Sequence, residues 1–281
     1  MGLRINTNVS SLNAQRNLHK TRLGMQKTLE QLSSGQRINR AGDDAAGLAI
    51  SENLKAQIRG LGQAERNAAD GISLVQIAEG GLTEVSNILI RLRELAVQAA
   101  SDTIGSTERK FLNVEFEQLV SEMDRIANST EFNRVPLLNG TGAVFDIQIG
   151  TRNDPLSDRL TFDASSADVN VAALGLNLAS VADKISAQNS LSAIDQAIVS
   201  VSGIRADFGA LQNRLQSTVN NIQISVENLS AANSRVRDTD VASATAELTK
   251  NNILMQAGTS VLAQANQSTT SALNLIQAAA S

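Results

Sequence analysis

The chain has no cysteine, which excludes a disulfide framework and thiolate zinc sites. It has no Trp and no Tyr, and aromatics make up 2% of its 281 residues, so burial must rely on Leu, Ile, Val and Ala. Small aliphatic side chains suit closely approaching helices better than a thick globular centre. Its two prolines, Pro136 and Pro155, lie together near the middle, which leaves both long flanks free to form unbroken helices. One histidine, His19, is too few for an H-E-x-x-H zinc helix, and no His-containing triad is supported. A net charge of −4 gives no basis for nucleic-acid binding. No apolar run reaches membrane-spanning length, so membrane insertion is not expected. The start, MGLRINTNVSS, has no hydrophobic h-region, so a cleaved signal peptide is not expected; if the chain is exported, it must leave by a route that needs none. Asn6 breaks the myristoylation pattern.

What the chain does have is two amphipathic ends with no partner of their own. Near the C-terminus Leu248, Asn252, Met255, Thr259, Leu262, Asn266, Thr269, Leu273 and Ile276 recur at steps of four and three, a heptad seam that is about half polar. Near the N-terminus Ile5, Val9 and Leu12 make one short stripe, and Leu18, Met25, Leu29 and Leu32 make a second, out of register with the first. A single helix with one narrow, partly polar stripe cannot bury enough to fold alone. The ends are therefore expected to pair with each other, with neighbouring copies, or with both.

Between the ends the stripe Leu61, Ala64, Ala68, Ile72, Val75, Ala78, Leu82, Val85, Leu89, Leu92, Ala96 and Ala99 moves only in steps of three or four. With a lead-in from Asp43 this predicts a helix of roughly 57 residues, about 85 Å long at 1.5 Å per residue. Asp43 or Asp44 is the candidate N-cap. Gly60, Gly62, Gly71, Gly80 and Gly81 interrupt it at about 1 kcal/mol each, which calls for compensation, most simply the close approach of another helix. A second helix carries Leu112, Phe116, Leu119, Met123 and Ile126. The period then changes to two at Phe145, Ile147 and Ile149 and again at Leu160 and Phe162, with turn signals at Asn139-Gly140, Gly150 and Asn153–Pro155. This predicts a β-hairpin element over about 135–163. Helical spacing resumes at Leu191 and runs to Leu229. The expected fold is mainly α: an elongated antiparallel helical bundle or coiled coil with a small β-hairpin, its N- and C-terminal helices paired.

No constellation of catalytic residues stands out. Gly60-Leu61-Gly62 lacks the third glycine of a dinucleotide loop and does not follow a strand. Asp43-Asp44 reads more simply as a helix cap than as a metal or acid/base pair, and Glu115, Glu117 and Glu122 as a solvated helix face. Asn139-Gly140-Thr141 fits a glycosylation pattern that short segments meet by chance. No cofactor, metal or enzymatic activity is expected.

Five segments carry a resemblance. Leu32–Glu52 reads LSSGQRINRAGDDAAGLAISE, Arg66–Leu82 reads RNAADGISLVQIAEGGL, and Arg91–Ala100 reads RLRELAVQAA. Glu131–Asn133 reads EFN, and Gln256–Gln267 reads QAGTSVLAQANQ. In this order they resemble the signature segments of bacterial flagellins and cover both ends and most of the long helices. The resemblance implies a structural subunit that self-assembles into the extracellular flagellar filament for motility. It implies terminal helices (1–42 and 238–281) paired in an inner tube and an outer rod over 43–237. Only about 20 residues, Asp163–Asp183, are left for the variable outer domain of larger relatives, so that domain is expected to be missing. The implied partners are further copies of the chain, a type III export chaperone at the C-terminal helix, and the filament cap and junction proteins. Candidate assembly residues are Ile5, Val9, Leu12, Leu29, Leu32, Leu248, Met255, Leu262, Leu273 and Ile276.

The resemblance also implies recognition by the vertebrate Toll-like flagellin receptor, with Arg91, Leu95 and Glu115 in the matching positions and Ile90 in place of the usual Gln. Filament packing alone is the simpler role for these three. At the C-terminus the chain departs from the family, running on past the Ala-Gln-Ala-Asn-Gln motif to Ser281 without a Leu-Leu-Arg type tail. The nearest alternative is a hook–filament junction protein, which shares the terminal helices. A flagellin with an inserted catalytic domain and an intracellular coiled-coil scaffold are further alternatives.

Overall fold

A computed structural model describes residues 7–280, with those from 268 onward as backbone only. The fold is mainly α, with two small antiparallel two-stranded sheets. Its helices are α1 (Val9–Ser34), α2 (Ala45–Ala100), α3 (Ser106–Ser129), α4 (Lys184–Arg237) and α5 (Val241–Ala280). Its strands are β1 (Glu131–Phe132), β2 (Val135–Pro136), β3 (Val144–Gln148) and β4 (Arg159–Asp163). The chain divides into two compact units, Met1–Ala56 with Leu229–Ser281 and Gln57–Asn228.

In the middle unit, α2 follows its sequence stripe closely. Every stripe residue is buried except Leu61 and Ile72, which are half-buried. Leu74, Ile88 and Leu95 widen the apolar face, so α2 meets neighbours on two sides. Helix α3 folds back along α2: the Arg109 guanidinium donates to the carbonyls of Ala99 and Ser101, both at 2.8 Å, satisfying acceptors at the end of α2. Helix α4 returns antiparallel to α2, with Arg93 paired to Asp195 at 2.7 Å and Gln223 bonded to Glu65 at 2.7 Å.

The expected hairpin is present as β3–β4, in the register Phe145↔Phe162 and Ile147↔Leu160. Ile147, Leu160 and Phe162 face the core, as alternation requires. A second, smaller hairpin, β1–β2, precedes it and turns on Asn133 (φ 49°) and Arg134 (φ 65°). Two consecutive positive φ values are the mark of a type I′ turn. The glycines of α2 are explained differently from expectation. A β-carbon on Gly71 would lie 2.6 Å from Ile147 of β3, and one on Gly81 would lie 2.7 Å from Thr130 and 2.8 Å from Leu138. The hairpin region, rather than another helix, supplies most of the close approach. Gly62 and Gly80 face open space, and nothing in the structure explains them.

Residues 164–183 form a strap over the core. Ala164, Ala167, Val169, Leu174, Leu176 and Val181 are buried in the same cluster as the helices. Asn113 on α3 anchors the strap by accepting hydrogen bonds from the Ser180 hydroxyl and the Val181 amide, both at 3.0 Å.

Candidate assembly surface on the paired terminal helices

In the terminal unit, α1 and α5 pair antiparallel. Asn8 caps α1 by accepting from the Ser11 amide at 3.1 Å, and its own amide donates to the Ala265 carbonyl at 2.8 Å. The Ser11 hydroxyl reaches Asn266 at 3.1 Å. Gly35, at φ 69°, ends α1 in the left-handed conformation that favours glycine.

The inner face of α1 runs Ser11, Ala14, Leu18, Thr21, Met25, Thr28 and Leu32, all buried or half-buried. That of α5 runs Ala244, Leu248, Asn251, Met255, Gly258, Leu262 and Ala265. Leu32, Leu248, Met255 and Leu262 therefore sit in the seam. Asn252, Thr259 and Asn266 are exposed, and the seam passes through the residue before each. The reason is steric. Gly258 lies under Leu18, and Gly24 lies against the Asn251 amide, so small residues are needed where the backbones come close. Val9, Leu12 and Leu29 are 59%, 51% and 44% exposed and lie outside the α1–α5 seam, on a face of α1 that α5 does not cover. Ile5 lies outside the described residues, and Leu273 and Ile276 lie in the stretch of α5 described only as backbone.

Two outward apolar faces remain uncovered among the described residues. On α1, Val9 and Leu12 line a shallow groove with Gln15, Arg16, His19 and Lys20, and Leu23 and Leu29 continue along the helix. On α5, Ile253, Leu254 and Val261 are exposed. A pair of helices that buries one seam and leaves apolar residues on the other sides has the character of an unfinished bundle.

The linkers flanking these helices are clasped together. The Arg37 amide donates to the Arg237 carbonyl at 2.6 Å, and the Thr239 amide to the Gly35 carbonyl at 3.0 Å. The largely buried Arg237 guanidinium donates to Gln36 at 3.0 Å and to the Ser51 hydroxyl at 3.3 Å, and it pairs with Glu52. The fully buried Ser51 hydroxyl donates in turn to Asn233 at 2.8 Å. Arg237→Ala is expected to cost about 1.5–3 kcal/mol, because it strands several acceptors of a charged donor. A lowered urea midpoint measures this, and Arg237→Lys should recover only part of it, since an ammonium cannot reproduce the planar fork.

Asp44 caps α2 by accepting from the Gly47 amide at 2.9 Å. Asp43 instead faces back, pairing with Lys27 at 2.8 Å and accepting from the amides of Asn39 and Arg40. Lys27 first, and then these amides, hold the Asp43 carboxyl below its ordinary range. A depressed carboxylate contributes stability above its unfolded pKa and loses it as pH falls through the folded value. The stability of wild type relative to Asp43→Asn should therefore shrink as pH is lowered from about 4, read as converging urea midpoints.

In the middle unit, Arg91 and Glu115 are both at the surface and bond each other at 2.7 Å, with Glu94 also on Arg91 at 2.9 Å. Leu95 is fully buried, so it supports α2 from beneath and is not a surface contact. Among the described residues no helix is long and apolar enough to cross a membrane, and no group of three acidic, histidine or cysteine residues could hold a metal.

Comparison with known proteins decides what these paired termini belong to. The bacterial flagellin N-terminal helical region matches residues 5–143, and the C-terminal helical region matches residues 191–276. The flagellin of Halalkalibacterium halodurans is 46% identical over 273 residues, covering 97% of this chain and 99% of that protein. The chain belongs to the bacterial flagellin family. The flagellar filament 33 kDa core protein of Treponema phagedenis is 44% identical over 284 residues, covering 97% and 99% of the two chains. The crystal structure of Bacillus cereus flagellin superposes with a TM-score of 0.51 at 34% identity, covering 60% of this chain and 94% of that one. Flagellins are the structural subunits of the extracellular flagellar filament, and this chain is such a subunit.

Proposed function

We propose that the terminal helices, residues 1–42 with 238–281, form the inner tube of the filament, and that residues 43–237 form its outer rod without a separate variable domain. The observation that carries this is the unfinished surface of the α1–α5 pair: one sealed seam beside exposed Val9, Leu12, Leu23, Ile253, Leu254 and Val261. Neighbouring copies would cover these faces, and a heterologous contact of this kind that does not close builds an open helical polymer. In this reading the subunit has no catalytic role. Before export a chaperone would cover the C-terminal helix, and cap and junction proteins would meet the same termini at the filament ends. Replacing Leu12 and Leu254 together with Asp tests the reading. Assembly should be lost while the helix content of the isolated subunit is kept, and filament formation by this variant would remove it.

The Toll-like flagellin receptor is proposed to contact Arg91 and Glu115. Their support is an exposed, mutually oriented Arg–Glu pair, since Arg is a frequent interface anchor. Arg91→Ala should weaken binding to the receptor ectodomain by about tenfold or more. Unchanged affinity would end the receptor proposal and leave the filament reading intact.

A further inference from the structure

Asn139-Gly140 is the only Asn-Gly step in the chain, and the fold makes both residues do something. Gly140 has φ 71°, and a β-carbon there would lie 2.4 Å from the Asp168 carboxylate, so any larger residue is excluded on two grounds. The Asn139 carboxamide is held in an Asx-turn: its Oδ1 accepts from the Thr141 amide at 3.1 Å and from the Thr141 hydroxyl at 2.7 Å. The Asn139 backbone carbonyl is fixed by the Asn170 amide at 2.8 Å, and Leu138 accepts from the Val169 amide at 2.9 Å. The Gly140 amide donates to no acceptor among the described residues.

We propose that Asn139 is a site of spontaneous covalent modification, its side-chain amide displaced by the Gly140 backbone nitrogen. Hydroxide removes the proton from the Gly140 amide, and the nitrogen attacks Cγ of Asn139. The new C–N bond closes a five-membered succinimide. The bond from Cγ to Nδ2 breaks, and Nδ2 leaves as ammonia after taking a proton from water. Water then opens the ring at either carbonyl, giving aspartate or isoaspartate.

Two features of the site favour this step over the same dipeptide in a loose chain. The two bonds from Thr141 fix the Asn139 carboxamide, so less side-chain freedom is lost at attack than in a loose chain. The tetrahedral intermediate places its negative charge on Oδ1, where two donors already stand at 3.1 and 2.7 Å, the arrangement of an oxyanion hole. The consequence is local. A new carboxylate arises one residue from Gly140, which lies against Asp168, and the isoaspartyl form lengthens the backbone where Leu138 and Asn139 tie the strap of residues 164–183 to the core. Older subunits would carry a loosened strap.

The test is peptide mapping by mass spectrometry of the full chain, aged at several alkaline pH values in the folded state and in guanidinium chloride. Loss of ammonia followed by gain of water should appear at Asn139, several-fold faster folded than unfolded and faster with rising pH. Asn189 and Asn233, each followed by Ser within α4, should stay unmodified. Thr141→Val removes the hydroxyl donor and keeps the amide, and should slow the folded reaction roughly tenfold without changing the unfolded rate. A folded rate equal to or below the unfolded one, or a Thr141→Val rate equal to wild type, overturns the proposal. Neither result bears on filament assembly.

Discussion

Phe208→Ala is expected to destabilise the middle unit by about 3–5 kcal/mol, the usual cost of deleting a buried phenyl ring. The chain has six phenylalanines and no other aromatic residue, and three of the six join the hairpin to α4. Phe208 meets Phe162 of β4 edge-on with ring centroids 5.2 Å apart, and Phe162 stacks on Phe145 of β3 at 6.1 Å. Phe208 and Phe162 are both buried. Removing the α4 ring leaves a cavity lined by a hairpin too short to be stable alone, so collapse into it can be only partial. At roughly 2–4 °C per kcal/mol for a unit of this size, the melting temperature should fall by on the order of 10 °C. Differential scanning calorimetry measures it. A fall of a degree or two would mean that the hairpin is held by its backbone pairing rather than by these rings.

Gly258→Val is expected to raise the concentration needed for filament growth by at least about tenfold, equivalent to roughly 1.4 kcal/mol. Two effects of opposite sign compete. Valine in place of glycine favours the helical backbone by a few tenths of a kcal/mol. Against this, even the first added carbon would lie 3.1 Å from Leu18 Cγ and 3.3 Å from its Cδ2, and two further methyl groups follow. Overpacking of a closed seam costs about 1–3 kcal/mol. It also acts once per subunit in a polymer that repeats the same error, so the steric effect should win. Gly258→Ala separates the two contributions, because Leu18 need yield by only a few tenths of an ångström. Its assembly should stay near wild type. Sedimentation of filaments over a concentration series distinguishes the outcomes. Normal assembly of the valine variant would mean that α1 and α5 are not closely paired in the filament.

The long helix α2 was legible because its stripe persists over many turns, and one misread position among many does not shift a 3.6-residue period. The hairpin was legible because Phe145, Ile147, Leu160 and Phe162 alternate cleanly. The α5 seam was harder to place. Asn252, Thr259 and Asn266 share its heptad spacing, but so do Ala244, Asn251, Gly258 and Ala265, each seven residues from the next. Close helix approach selects the smaller series, and that signal was available in the Gly and Ala it contains. Val9 and Leu12 left their partner open for a related reason: an apolar stripe marks a face to be covered without saying by what. The strap at 164–183 has no period at all, since its buried residues are set by contact with α3 and the loop after β2. The β1–β2 hairpin, with two residues per strand, is too short for alternation to register. Arg237 gave no sequence signal. It sits at a helix end where a basic residue is expected for the helix dipole, and only the fold brings Gln36, Ser51 and Glu52 to it.

The proposed inner-tube interface needs the α1–α5 pair to be one half of a contact that other copies complete. Seeded assembly of the purified chain, imaged by electron microscopy alongside Gly258→Val, tests this most directly. The expected result is long, uniform filaments from the unaltered chain and few or none from the variant at the same concentration. Persistent monomers of the unaltered chain, or filaments of equal length and number from both, would contradict it.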